Sequence, residues 1–111
     1  MQVARKWHLE GEQIANTEVY RLVDNTELDR LVISTTTLYP NKQTRGHSHE
    51  DQEEVYIFTS GEGYIKLDDT SYNVRTGDVF TIKAGVWHQV RNTHPEFALH
   101  FMCIFEGKRN H

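Results

Sequence analysis

His47 and His49 are the first residues in this sequence whose type and spacing suggest chemistry. On an extended strand, residues two apart point to the same face, roughly 7 Å from one another, so two imidazoles placed this way can converge on one ion. On its own the pair also reads as two solvated residues in a turn. Glu54 adds to it. It follows the polar run Glu50-Asp51-Gln52-Glu53 and opens an apolar stretch, in step with Tyr56 and Phe58. If those aromatics face an interior, so does Glu54. A buried carboxylate then needs a compensating charge or hydrogen bonds, and a cation held by the two histidines would supply it. His88 lies beyond a second turn, after Ala84-Gly85-Val86-Trp87.

Positioning four such side chains requires a scaffold of short strands. Turn residues recur at short intervals: Asp24-Asn25, Pro40-Asn41, Gly61-Glu62-Gly63, Asp68-Asp69, Thr76-Gly77-Asp78, Ala84-Gly85 and Asn92-Thr93-His94-Pro95. Between them lie segments rich in β-branched and aromatic residues: 31–39, 55–58, 64–67, 79–82 and 97–105. This is the pattern of an all-β sandwich or barrel, and no stretch carries convincing helical periodicity. Gly61-Glu62-Gly63 reads as the turn of a hairpin joining 55–58 to 64–67, with glycine supplying positive φ.

Composition narrows the partners. The chain has 111 residues, enough for one modest core. Sixteen acidic against 12 basic side chains give a net charge of −4. No Lys or Arg run offers a footprint for nucleic acid or an anionic membrane. The single cysteine, Cys103, excludes an intrachain disulfide. No apolar run is long enough to span a bilayer, and the start of the sequence lacks the pattern of a secretory signal. The expectation is a soluble cytoplasmic protein that acts on a small molecule.

Taken together, the four candidate ligands sit in a pattern that resembles the paired motifs of the cupin superfamily. The first motif runs from Asn41 through His47, His49 and Glu54 to Gly61; the second comprises Gly77, Lys83-Ala84-Gly85, His88 and Asn92. Every spacing is kept. Asn41 replaces a glycine, which Asn tolerates because it enters the left-handed region. Lys83 replaces a proline, losing a preset φ and adding a cation. The resemblance covers about residues 30 to 105. It implies a cupin jelly-roll β-barrel of two antiparallel sheets, with residues 1–111 as a single domain. Within it, 1–30 would supply N-terminal strands and 31–105 the conserved barrel. It also implies homodimerisation, for which the segment Trp7 to Val23 is the candidate.

Three imidazoles and a carboxylate would hold one divalent metal ion: Mn, Fe, Co or Ni with two positions open, or Zn with fewer ligands. A bound ion could polarise vicinal substrate oxygens or support dioxygen chemistry. The run Thr44-Arg45-Gly46-His47-Ser48-His49 with Glu54-Val55-Tyr56 is similar to the metal motif of the archaeal cupin-type phosphoglucose isomerases, which are longer chains. That likeness implies contacts to a sugar phosphate from Thr44, Gly46 and Tyr56, with charge from Arg45. Alternatively, Thr44 and Gly46 shape the turn before the ligands. Strand parity adds Phe58 and Val90 to the candidate pocket. On the last strand either Leu99, Phe101 and Cys103 or His100 and Met102 face inward; the first set is preferred as the more consistently apolar. His8, His94 and His111 show no partner, and Trp87 packs or rims the mouth. Three functions compete: a metal-dependent isomerase or epimerase of a sugar or sugar phosphate with Glu54 as candidate base, an Fe(II)-dependent dioxygenase, and a non-catalytic binding module.

Overall fold

A computed structural model describes residues 11–107. They form nine strands: β1 (Glu12–Asn16), β2 (Tyr20–Asn25), β3 (Leu31–Leu38), β4 (Glu54–Ser60), β5 (Glu62–Leu67), β6 (Thr70–Arg75), β7 (Val79–Ile82), β8 (His88–Asn92) and β9 (Leu99–Glu106). A six-stranded antiparallel sheet has the order β1-β2-β3-β9-β4-β7, and a three-stranded sheet the order β6-β5-β8. This is the two-sheet antiparallel jelly roll that the motif resemblance implies. No helix among the described residues is long and apolar enough to cross a membrane.

The central strands follow directly from their residues. Leu31–Leu38 is almost wholly β-branched or leucine, and its burial alternates residue by residue, as does that of Leu99–Glu106. The two pair along their full length, from Leu31 opposite Glu106 to Leu38 opposite Leu99. The preferred inward set of β9 is the observed one: Leu99, Phe101 and Cys103 are buried, while His100 and Met102 are only partly so. With Leu38, Phe58, Ile65, Val74 and Val90 they make the core. Each large side chain removed from water there contributes roughly 1.5–3 kcal/mol.

The expected hairpin at Gly61–Gly63 does not form. β4 pairs with β7 and β9, whereas β5 pairs with β6 and β8, so the chain crosses there from one sheet to the other. The register of β4 on β9 slips between Phe58 and Ser60, and Gly61 turns the corner at φ 98°. Gly63 instead permits close backbone approach: a Cβ there would strike the Arg91 carbonyl oxygen. Asn41 does take a left-handed conformation, at φ 60°. Of the segment expected at a dimer contact, Trp7 to Glu10 lie outside the described residues, and the rest forms β1 at the sheet edge and the start of β2. His8 and His111 also lie outside them. His94 does have partners: its Nδ1 accepts from the backbone N–H groups of Glu96 and Phe97, both at 3.0 Å.

Candidate metal centre

The segment between β3 and β4 is irregular, yet it is tied to β8 and so extends the smaller sheet by one row. The Thr44 amide donates to the Val90 carbonyl at 2.8 Å, and the Val90 amide donates to Thr44 Oγ1 at 3.0 Å. His47 and His88 exchange both backbone hydrogen bonds, at 3.1 and 2.9 Å. The Gly85 amide donates to the His49 carbonyl. One histidine pair is thereby locked across a β-bridge to the third histidine, and Glu54 enters from the other sheet as the first residue of β4.

One ligand atom from each of His47, His49, Glu54 and His88 lies within 4.8 Å of the other three. The imidazole centroids of His47 stand 4.7 Å from His49 and 4.4 Å from His88. His49 Nε2 is 3.1 Å from Glu54 Oε1, and His88 Nε2 is 3.9 Å from Glu54 Oε2. Glu54 is 7 % exposed and His88 2 %.

Two carbonyls fix the imidazole tautomers. His47 Nδ1 is 3.2 Å from the Arg45 carbonyl oxygen, and His88 Nδ1 is 3.0 Å from that of Val86. A carbonyl only accepts, so each Nδ1 carries the proton and each Nε2 presents a lone pair. His88 Nε2 has no hydrogen-bond partner and is buried. In the neutral ring its lone pair faces a carboxylate oxygen 3.9 Å away, which is a costly arrangement in a protein interior. A cation between the two satisfies both. Ligands about 2.0–2.2 Å from such an ion fall roughly 3–4 Å from each other; the two histidine–Glu54 separations, 3.1 and 3.9 Å, lie in that range, within a cluster no wider than 4.8 Å. The site therefore fits a divalent ion held by three imidazoles and one carboxylate.

His47, His49 and Glu54 line a cavity of about 1100 Å³, which His88 itself does not reach. Of the residues expected around it, Thr44, Arg45, Gly46, Tyr56, Phe101 and Cys103 do line it. Phe58 and Val90 do not. They share the inward parity of Glu54 and His88, but the barrel is filled at their level, and both are packed in the core. Thr44 and Gly46 also carry structural tasks: Thr44 bonds to Val90, and Gly46 lies against the Trp87 indole. Ser34 and Thr36 on β3, Leu22 on β2 and Phe105 on β9 also line the cavity. The signal for Ser34 and Thr36 was present in the sequence as hydroxyls in step with Val32 and Leu38 on an otherwise apolar face.

The family model for the cupin domain matches residues 34–105. The chain belongs to the cupin family. That match spans both ligand-bearing motifs of this cupin. No curated protein matches its sequence. Among solved structures, KdgF from Halomonas sp. is similar at a TM-score of 0.77 and 13% identity, over 89% of this chain and 88% of that one. A predicted oxalate decarboxylase from Thermotoga maritima has a TM-score of 0.76 and 21% identity, over 95% and 98%. An RmlC-like cupin from Shewanella frigidimarina has a TM-score of 0.77 and 15% identity, over 99% and 97%. At such identities the likeness is one of fold.

Proposed function

We propose that this cupin is a metal-dependent isomerase or epimerase of a small sugar or sugar phosphate, with one divalent ion held by His47, His49, Glu54 and His88. The observation that carries the proposal is the buried His88 Nε2, without a hydrogen-bond partner and facing Glu54 Oε2, beside a cavity that His47, His49 and Glu54 line and that is large enough for a monosaccharide. The ion would polarise adjacent carbonyl and hydroxyl oxygens of a substrate. Arg45 and Gly85 hold the ligand segment in place through main-chain atoms, and Tyr56 lines the same cavity as Glu54. Glu54 can take or return a proton only through an oxygen the ion leaves free, because a ligated carboxylate is less basic. Arg45 is the cationic side chain lining the cavity, and Glu50 and Asp51 share its rim. That acidic pair favours a neutral sugar over a phosphorylated one.

The test is turnover of aldoses and sugar phosphates under anaerobic conditions in D₂O, with Mn²⁺, Fe²⁺, Co²⁺, Ni²⁺ and Zn²⁺ in turn. Deuterium entering at the carbon beside the carbonyl supports the proposal. Absence of conversion with every ion contradicts it. A second reading, an Fe(II)-dependent dioxygenase, is favoured by the apolar part of the cavity, where Leu22, Tyr56, Phe101 and Phe105 meet. Oxygen uptake with Fe²⁺ but not Mn²⁺ would select it, and ligand binding without either activity would leave a binding module. A cytoplasmic homodimer belongs to the same proposal. It is supported by Cys103 being the single cysteine, which suits a reducing compartment, and by the edge position of β1 among the described strands.

A further inference from the structure

Each of the two histidines joined by the β-bridge is preceded by a residue that touches the other's neighbour. Gly46 precedes His47, Trp87 precedes His88, and the indole of Trp87 lies on Gly46. A Cβ at position 46 would fall inside that indole, 2.7 Å from Cη2 and closer still to Cζ2 and Cε2. Gly46 is therefore required by packing, since its φ is not in the left-handed region. The Trp87 backbone is in turn anchored from the β5–β6 turn. The Trp87 amide donates to Asp68 Oδ1 at 3.0 Å, and the Asp68 amide donates to the Trp87 carbonyl at 2.8 Å. Lys66 Nζ stands 5.8 Å over the ring.

On the metal-centre reading given above, we infer that Trp87 is a positioning residue for the ion. Its indole, pressed on Gly46 while its backbone is held by Asp68, sets how the imidazoles of His47 and His88 are presented to each other. Trp87 is half-buried and does not line the cavity, so its influence runs through the two histidines beside it. Shifting the ring moves His88 through the chain and His47 through Gly46. Groups that orient ligands in this way commonly change metal affinity 10- to 100-fold when altered.

The experiment compares Gly46→Ala, Trp87→Phe and the double variant with the wild-type chain. It reads Zn²⁺ affinity by competition with a chromophoric chelator, the visible spectrum of the Co²⁺-loaded protein, and thermal unfolding of the metal-free form. Gly46→Ala is expected to weaken Zn²⁺ binding about tenfold to a hundredfold and to alter the Co²⁺ bands. Trp87→Phe is expected to weaken it less. The double variant should recover part of the Gly46→Ala loss, because the shorter phenyl ring leaves room for the methyl group. Wild-type affinity and an unchanged spectrum in both single variants overturn the inference, as does a double variant whose losses simply multiply. Should Gly46→Ala fail to fold, Trp87→Phe and Asp68→Ala decide it by the same readouts: weakened Zn²⁺ binding with altered Co²⁺ bands supports it, and wild-type values overturn it. A wild-type chain that binds neither ion sinks the metal reading along with this one, whereas wild-type binding with unaffected variants sinks this inference alone.

Discussion

Metal loading should raise the stability of the folded chain by an amount that follows from how the ligands are distributed. His47 and His49 sit before β4, Glu54 opens it, and His88 opens β8 in the other sheet. An ion at this point joins two sheets whose ligands come together only on folding, so binding strongly favours the native state. With free ion held a hundredfold above its dissociation constant, the gain is about 2.7 kcal/mol. At about 4 °C per kcal/mol for a chain of this length, Tm should rise on the order of 10 °C. Differential scanning calorimetry with and without ion, and after chelation, measures this directly. His49→Ala removes one donor and should abolish most of the rise; because it also takes from buried Glu54 its contact at 3.1 Å, the rise is read against the variant's own metal-free Tm. An equal rise in wild type and His49→Ala, or none with any of the five ions, would refute the reasoning.

Three further outcomes follow from the same geometry. Phe58→Ala empties a fully buried position between Phe80 and Phe101 and should cost about 3–5 kcal/mol in denaturant unfolding. Asn92→Ala should cost at least about 2 kcal/mol by the same assay, because its buried Nδ2 donates to the carbonyls of Leu38, Tyr39 and Phe97 and its Oδ1 accepts from the His94 amide. Acidification should release the ion, since protons compete for the imidazoles and the carboxylate. Affinity measured by calorimetric titration should therefore fall as pH falls, and the extra stability should vanish with it.

Much of the barrel could be read from the sequence because its central strands obey a strict period of two. Leu31–Leu38 and Leu99–Glu106 alternate cleanly, and Val79–Ile82 stands between turn residues. β6 was not anticipated. Thr70–Arg75 is mostly exposed and polar, and it is held as a strand by pairing with β5 around the Asp68-Asp69 turn. The path at Gly61 was misjudged because a glycine with positive φ serves equally well in a hairpin and at a corner between sheets; only the neighbours of each strand tell them apart. The four ligands were identifiable because they keep the spacing of the two cupin motifs, although only Glu54 and His88 lie on strands. The cavity wall was less so. Phe58 and Val90 share parity with the ligands but lie deeper in the barrel, and periodicity carries no information on depth. The contact of Trp87 with Gly46 joins residues 41 positions apart, and no local pattern marks it.

The central claim is that these three imidazoles and one carboxylate hold an ion, and the most direct test is elemental analysis of the protein purified without added metal. The account predicts about one divalent ion per chain in the wild type and sharply less in His49→Ala. Metal content unchanged by that substitution, or a wild-type chain free of metal that also takes up none on dialysis against the five ions, would contradict it.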